Sequence, residues 1–94
     1  MFEVGTTSGR PAVRGELDLL SIPALEAWFH LLGELTELDL SGVTFFDSSA
    51  LRTLLTVRRR NANMRIVNPS QAVVKVLEMT GTLDYLVHGR NVDS

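Results

Sequence analysis

Ninety-four residues, 45% apolar and 21% charged, are enough for one domain with a single modest core. Cysteine is absent, which excludes a disulfide framework, a thiol nucleophile and any cysteine-based metal site. No apolar run reaches the ~18 residues of a membrane span, and Met1-Phe2-Glu3 lacks the basic start of a signal peptide, so the expectation is a cytoplasmic protein without membrane insertion.

The net charge of −2 is unevenly spread: residues 1–47 carry eight acidic and two basic side chains, residues 48–94 three acidic and seven basic. One sheet shared by both halves, with its charges facing water, accounts for this more simply than a charged binding face. Arg58-Arg59-Arg60 is a short cluster without interleaved aromatics in an acidic chain, so nucleic acid is not an expected partner.

In chain order, Phe2 to Thr6 and Ala12 to Arg14 read as two short strands joined by Thr7-Ser8-Gly9-Arg10, with Gly9 free to take positive φ. Pro11 suits a strand start or an edge, and Gly15 ends the strand. Ser21 caps the first helix, Pro23 sits in its first turn and Gly33 closes it. Ile22, Leu25, Trp28 or Phe29, and Leu32 recur at helical spacing; Trp28 and Phe29 project about 100° apart, so one of them faces outward.

Thr36 to Leu40 forms the next strand, with a turn at Ser41-Gly42 and then the corner Phe45-Phe46-Asp47-Ser48. From Ser49, Leu51, Leu54 and Leu55 lie on one helical face. Arg58, Arg59 and Arg60 complement the dipole in the last turn, and Asn61-Ala62-Asn63 supplies the reversal, asparagine tolerating the left-handed conformation. Met64 to Val67 is a buried strand. Ser70 then caps a helix carrying Val73, Val76, Leu77 and Thr80 on one face, with Gly81 as its C-terminal stop. Leu83 to Val87 reads as a last short strand, and residues 88–94 as a loose tail. Strands alternating with helices after an opening hairpin imply an α/β fold: a mixed, mostly parallel sheet of four to five strands with three or four helices on it.

Little in the chain points to catalysis. No glycine-rich phosphate loop follows any strand, which leaves nucleotide binding or hydrolysis a distant reading. His30 and His88 stand alone, without a second ligand at metal spacing. Asp47-Ser48-Ser49-Ala50 is no nucleophile elbow. Neither enzyme activity nor a cofactor is therefore expected.

Ser48 is the one side chain with a mechanism attached. Ser and Asp at a helix start accept hydrogen bonds from its free N–H groups, and the same turn favours an added anion such as phosphate. An ordinary N-cap explains most Asp-Ser-Ser sequences. A phosphorylated Ser48 would add roughly −1.5 to −2 charges and three acceptor oxygens beside Asp47. Any partner docked over the corner would then lose affinity through bulk and like-charge repulsion.

The run Leu38-Asp39-Leu40-Ser41-Gly42-Val43-Thr44-Phe45-Phe46-Asp47-Ser48-Ser49-Ala50-Leu51 resembles the signature of STAS domains, named for sulfate transporters and anti-sigma factor antagonists. Gly15-Glu16-Leu17-Asp18 before it and Asn68-Pro69-Ser70 through Met79-Thr80-Gly81 after it extend the likeness over nearly the whole chain, as one STAS domain spanning residues 1–94.

Short proteins of this type resemble bacterial anti-sigma factor antagonists. That resemblance implies an unphosphorylated form that binds an anti-sigma factor, often a serine protein kinase, and frees the sigma factor. It also implies a phosphorylation site at Ser48, and a partner surface comprising Asp18 through Ser21, Asp47, Ser49, Ala50 and Arg52, on a monomer or weak dimer. Two departures stand out: Ala50 replaces the usual glycine, adding a methyl group near the docking corner, and the final helix of longer members is missing. Short STAS proteins also resemble the cytoplasmic accessory subunit of ABC-type lipid transporters, where serine phosphorylation need not matter.

Overall fold

Two consecutive residues with positive φ, Ser8 at 52° and Gly9 at 79°, make the first chain reversal. That is the backbone of a two-residue hairpin turn whose twist matches the strands it joins. It connects β1 (Phe2–Thr7) to β2 (Arg10–Leu17), paired antiparallel with Val4 opposite Val13. The computed structural model describes residues 1–89; the remainder of the tail expected over 88–94 lies outside the described residues.

β2 does not end at Gly15. It continues to Leu17 because Gly15 takes φ +101° and the Glu16 N–H bonds to the Met1 carbonyl at 2.9 Å, holding the strand against the chain's beginning. After β2 come a 3-10 turn (Leu19–Ser21), α1 (Ile22–Leu32), β3 (Glu37–Phe46), α2 (Ser48–Arg60), β4 (Arg65–Val67), α3 (Gln71–Thr80) and α4 (Leu83–Leu86).

The four strands lie in the order β1-β2-β3-β4, with β2–β3 and β3–β4 parallel. Both parallel crossovers step the same way across the sheet. Their ordinary right-handedness therefore puts α1 and α2 on one face, where the two helices touch. The mixed, mostly parallel sheet expected from the sequence is present.

β3 is where the sequence misleads. Ser41-Gly42 is not a turn; the strand runs through it for ten residues. Between the pairs Ala12–Asp39 and Arg14–Gly42, β3 spends three steps to β2's two, and between Gly15–Val43 and Glu16–Phe45 two steps to one. Each extra residue is a bulge. Consequently the buried apolar residues fall at Leu38, Leu40, Val43 and Phe46, and the two-residue alternation breaks after Leu40. The Asp39 carboxylate accepts the Ser41 N–H at 2.9 Å and its hydroxyl at 2.7 Å, a local closure that reads as a turn in sequence. Gly42 is required because a Cβ there would lie 2.6 Å from the Cβ of Arg14.

One continuous core gathers Leu17 and Val13 of β2, Leu25 and Phe29 of α1, Leu51, Leu54 and Val57 of α2, and Val73 and Leu77 of α3. Phe29 is the buried member of the aromatic pair on α1; Trp28 is half-buried and packs at the core edge, its ring centroid 5.4 Å from that of Phe29.

Three further expectations are corrected. Arg58 is not a solvated partner of the helix dipole like Arg59 and Arg60: four residues after Leu54, it shares the inward stripe and is 6% exposed, its guanidinium 4.6 Å from the Tyr85 ring centroid. Leu83 to Val87 is helical rather than a fifth strand, since Gly81 turns the chain at φ 72° and the fully buried residue is Leu86. With α4 the helices number four among the described residues, within the three or four expected from the sequence. Asn61 has φ −123° and works through its side chain: Nδ2 donates to the Val57 carbonyl and Oδ1 accepts the Leu35 N–H, both at 3.0 Å.

That amide clamps the end of α2 to the segment entering β3. Asn61→Ala should therefore cost about 1–3 kcal/mol in urea unfolding, against at most about 0.5 kcal/mol for the exposed neighbour Asn63→Ala. Equal effects of the two substitutions would contradict the clamp.

Candidate functional site

The candidate site lies at the carboxyl ends of β2 and β3, where two loops are tied together by the Asp47 N–H donating to the Leu17 carbonyl at 3.3 Å. The first loop is built by Asp18. Its Oδ1 accepts the Ser21 N–H at 3.1 Å and the Ser21 hydroxyl at 2.9 Å, capping the 3-10 turn. Ser21 Oγ also reaches back to the Glu16 carbonyl at 3.1 Å. Ser21 therefore does not cap α1 with its side chain, as the sequence suggested. It is buried and knits the loop from within, so it offers no surface to a partner. The Ser21 hydroxyl bond, above all, holds the Asp18 carboxyl below its ordinary range, and the Ser21 N–H adds to the effect.

In the second loop Asp47 is the N-cap of α2, its Oδ1 accepting the Ala50 N–H at 3.0 Å. Ser48 is then the first helical residue, exposed, and its hydroxyl makes no hydrogen bond among the described residues. Since the cap role belongs to Asp47, the Ser48 oxygen is not consumed by the fold. Ser49 is half-buried and Arg52 exposed. Ala50, third in the helix, points inward and is fully buried, so its methyl group adds nothing to the outer surface; the expected bulk at the docking corner is corrected.

Leu19 and Leu20 lie within the Asp18–Ser21 stretch expected at the partner surface, and the structure adds their exposure and that of Phe45, which the sequence reading did not include. Leu19 and Leu20, in the turn that Asp18 caps, are 67% and 89% exposed, and Phe45, two residues before Asp47, is 49% exposed. The signals were two adjacent leucines between polar residues, and adjacent phenylalanines in a strand, where only one of two successive side chains reaches the core. Glu16, Asp18 and Asp47 give this end of the molecule its acidic character.

A buried carboxylate, Asp39, belongs to the sheet. Burial alone would raise its pKa, but the Ser41 hydroxyl and N–H, Asn68 Nδ2 at 3.2 Å and the nearby charge of Arg10 together bring it below the ordinary value. Asp18 and Asp39 both have lowered folded-state values, so each stabilises the fold above the unfolded carboxylate pKa of 3.8 and loses that contribution as pH falls through its folded value. The melting temperature should hold from pH 7 to about pH 5 and then fall, less steeply in Asp39→Asn than in the parent. Identical acid limbs in the two melting curves would contradict a role for Asp39.

No group of three or more His, Cys, Asp or Glu side chains among the described residues could hold a metal ion. Among the same residues, no helix is long and apolar enough to cross a membrane.

A small α/β domain with a bulged central strand delivering Asp-Ser-Ser to a helix start, beside a capped loop from the preceding parallel strand, is the architecture of a STAS-type module. Residues 7–88 match the family model described as "Mlab, STAS domain", and the chain belongs to the STAS domain family. No curated protein matches the chain with significance.

Proposed function

We propose that this protein is an anti-sigma factor antagonist whose binding corner is switched off by phosphorylation of Ser48. The observation that carries the reading is the exposed, uncommitted Ser48 hydroxyl at the first position of α2, beside the Asp47 cap and the loop presenting Leu19 and Leu20. In the unmodified state the leucines supply desolvated anchors to an anti-sigma factor, and Asp18, Asp47 and Arg52 form the polar surround.

A kinase partner transfers the γ-phosphoryl group of ATP to Ser48. The serine oxygen bonds to phosphorus, the bond to the bridging oxygen breaks, ADP leaves, and the hydroxyl proton passes to a base of the kinase. The phosphate is tolerated at the helix N-terminus, so the fold stays intact while the partner meets bulk and negative charge.

The test is a pull-down from native cell extract, with mass spectrometry of the captured proteins and of the intact chain. A serine-kinase-like anti-sigma factor in the eluate supports the reading. Co-purification with a transporter ATPase and a membrane permease instead would replace it with the accessory-subunit role.

A further inference from the structure

The end of α2 remote from Ser48 holds a feature that neither the core nor the corner explains. Arg58 is 6% exposed, yet its Nε has no hydrogen-bond partner, and the guanidinium forms no ion pair among the described residues. The Tyr85 ring, 4.6 Å away, offsets part of the cost of burying the charge but leaves the directional Nε–H donor unmet.

Beside Arg58 opens a cavity of about 270 Å³, lined also by Asn63, Arg65 and His88. Arg65 forms no side-chain ion pair among the described residues, and its stem lies against Gly89. His88 Nδ1 is 2.8 Å from the Asp84 carboxylate, which fixes that ring at the mouth. Among the described residues no carboxylate lines the cavity, and Arg59 and Arg60 of the same helical turn add to the positive field. The volume falls just below the roughly 300–1,000 Å³ typical of drug-sized ligands, which suits a compact group.

We propose that this cavity binds a dianionic phosphate group, free or as the phosphate of a small phosphomonoester, with Arg58 and Arg65 as its two guanidinium partners and Asn63 as a neutral donor. Phosphate oxygens provide the acceptors Arg58 lacks, and paired guanidinium contacts are among the strongest charge-assisted hydrogen bonds. Ten residues of helix separate position 58 from Ser48, about 15 Å, so the site does not depend on the reading of that corner.

The experiment follows the Arg58 Nε–Hε resonance of the 94-residue chain by NMR, titrating with inorganic phosphate and, separately, with glycerol 3-phosphate, at ionic strength held constant with sodium chloride. A saturable shift is expected, weakened about tenfold in Arg65→Gln, where the exposed substitution leaves the fold and Arg58 in place; in Arg58→Met, followed instead on the side-chain amide of Asn63, the saturable shift should be lost. Tighter binding of glycerol 3-phosphate would identify a phosphomonoester as the ligand; equal or weaker binding would identify free phosphate. A shift that does not saturate with either compound, or saturates unchanged in Arg65→Gln, overturns the proposal.

Discussion

Ser48→Asp should cost the protein its partner while leaving the fold almost untouched. The side chain at position 48 is exposed and makes no hydrogen bond among the described residues, so replacing it removes no internal contact. A carboxylate there also sits favourably at the positive end of α2. Melting should shift by no more than about 2 °C. At the docked interface the new carboxylate, with Asp47 beside it, is stripped of water without a partner charge to pair with, so affinity should fall by roughly a hundredfold or more. Titration calorimetry with the captured anti-sigma factor reads the loss, and Ser48→Ala should retain binding. Parent-like affinity in Ser48→Asp would show that the partner does not contact this corner.

The second large effect is on stability. Gly15 has φ +101°, and a Cβ built on it would fall 2.7 Å from the Met1 carbonyl oxygen and 3.0 Å from the Phe2 Cα. Those neighbours are backbone, held by the Glu16–Met1 hydrogen bond, and cannot swing aside as a side-chain tip would. Gly15→Ala combines an unfavourable backbone region with this overlap and should cost about 2–4 kcal/mol, a drop of some 10–20 °C in melting temperature. Gly5 is the internal comparison: it lies in β1 with nothing within 4 Å of a built Cβ, and its alanine variant should stay within about 1 kcal/mol of the parent. Similar melting of the two variants would mean that β1 is not seated as described.

The parts of this molecule that were legible in its sequence are those governed by a local rule. The hairpin at Ser8-Gly9, the Ser70 cap and the Gly81 stop all follow from nearest-neighbour chemistry, and each forms where expected. Ser48 is singled out by the likeness to the STAS signature, since local chemistry alone offers two hydroxyls, Ser48 and Ser49, beside the Asp47 cap.

What escaped depends on partners distant in the chain. The bulges of β3 exist because β2 must register against it, and Asp39 binds Asn68 from the far side of α2. Nothing local to Ser41-Gly42 distinguishes such a strand from a turn. Ser21 reads as a cap by residue type, but the Glu16 carbonyl and Asp18 claim its hydroxyl first. Arg58 reads as one of three surface arginines until Tyr85, packed from α4, covers it. The inward direction of Ala50 could have been anticipated from its third position in the helix, since Leu54, four residues on, lies on the same buried face.

The account rests most heavily on the Ser48 oxygen as the atom that receives phosphate and thereby ejects the partner. Incubating the purified complex with ATP, and following both the mass of this chain and its co-elution with the anti-sigma factor, tests that claim in one measurement. The account predicts an increment of one phosphate, mapped to Ser48, accompanied by loss of co-elution. A complex that survives full phosphorylation of Ser48, or one that dissociates with the phosphate on another residue, would contradict it.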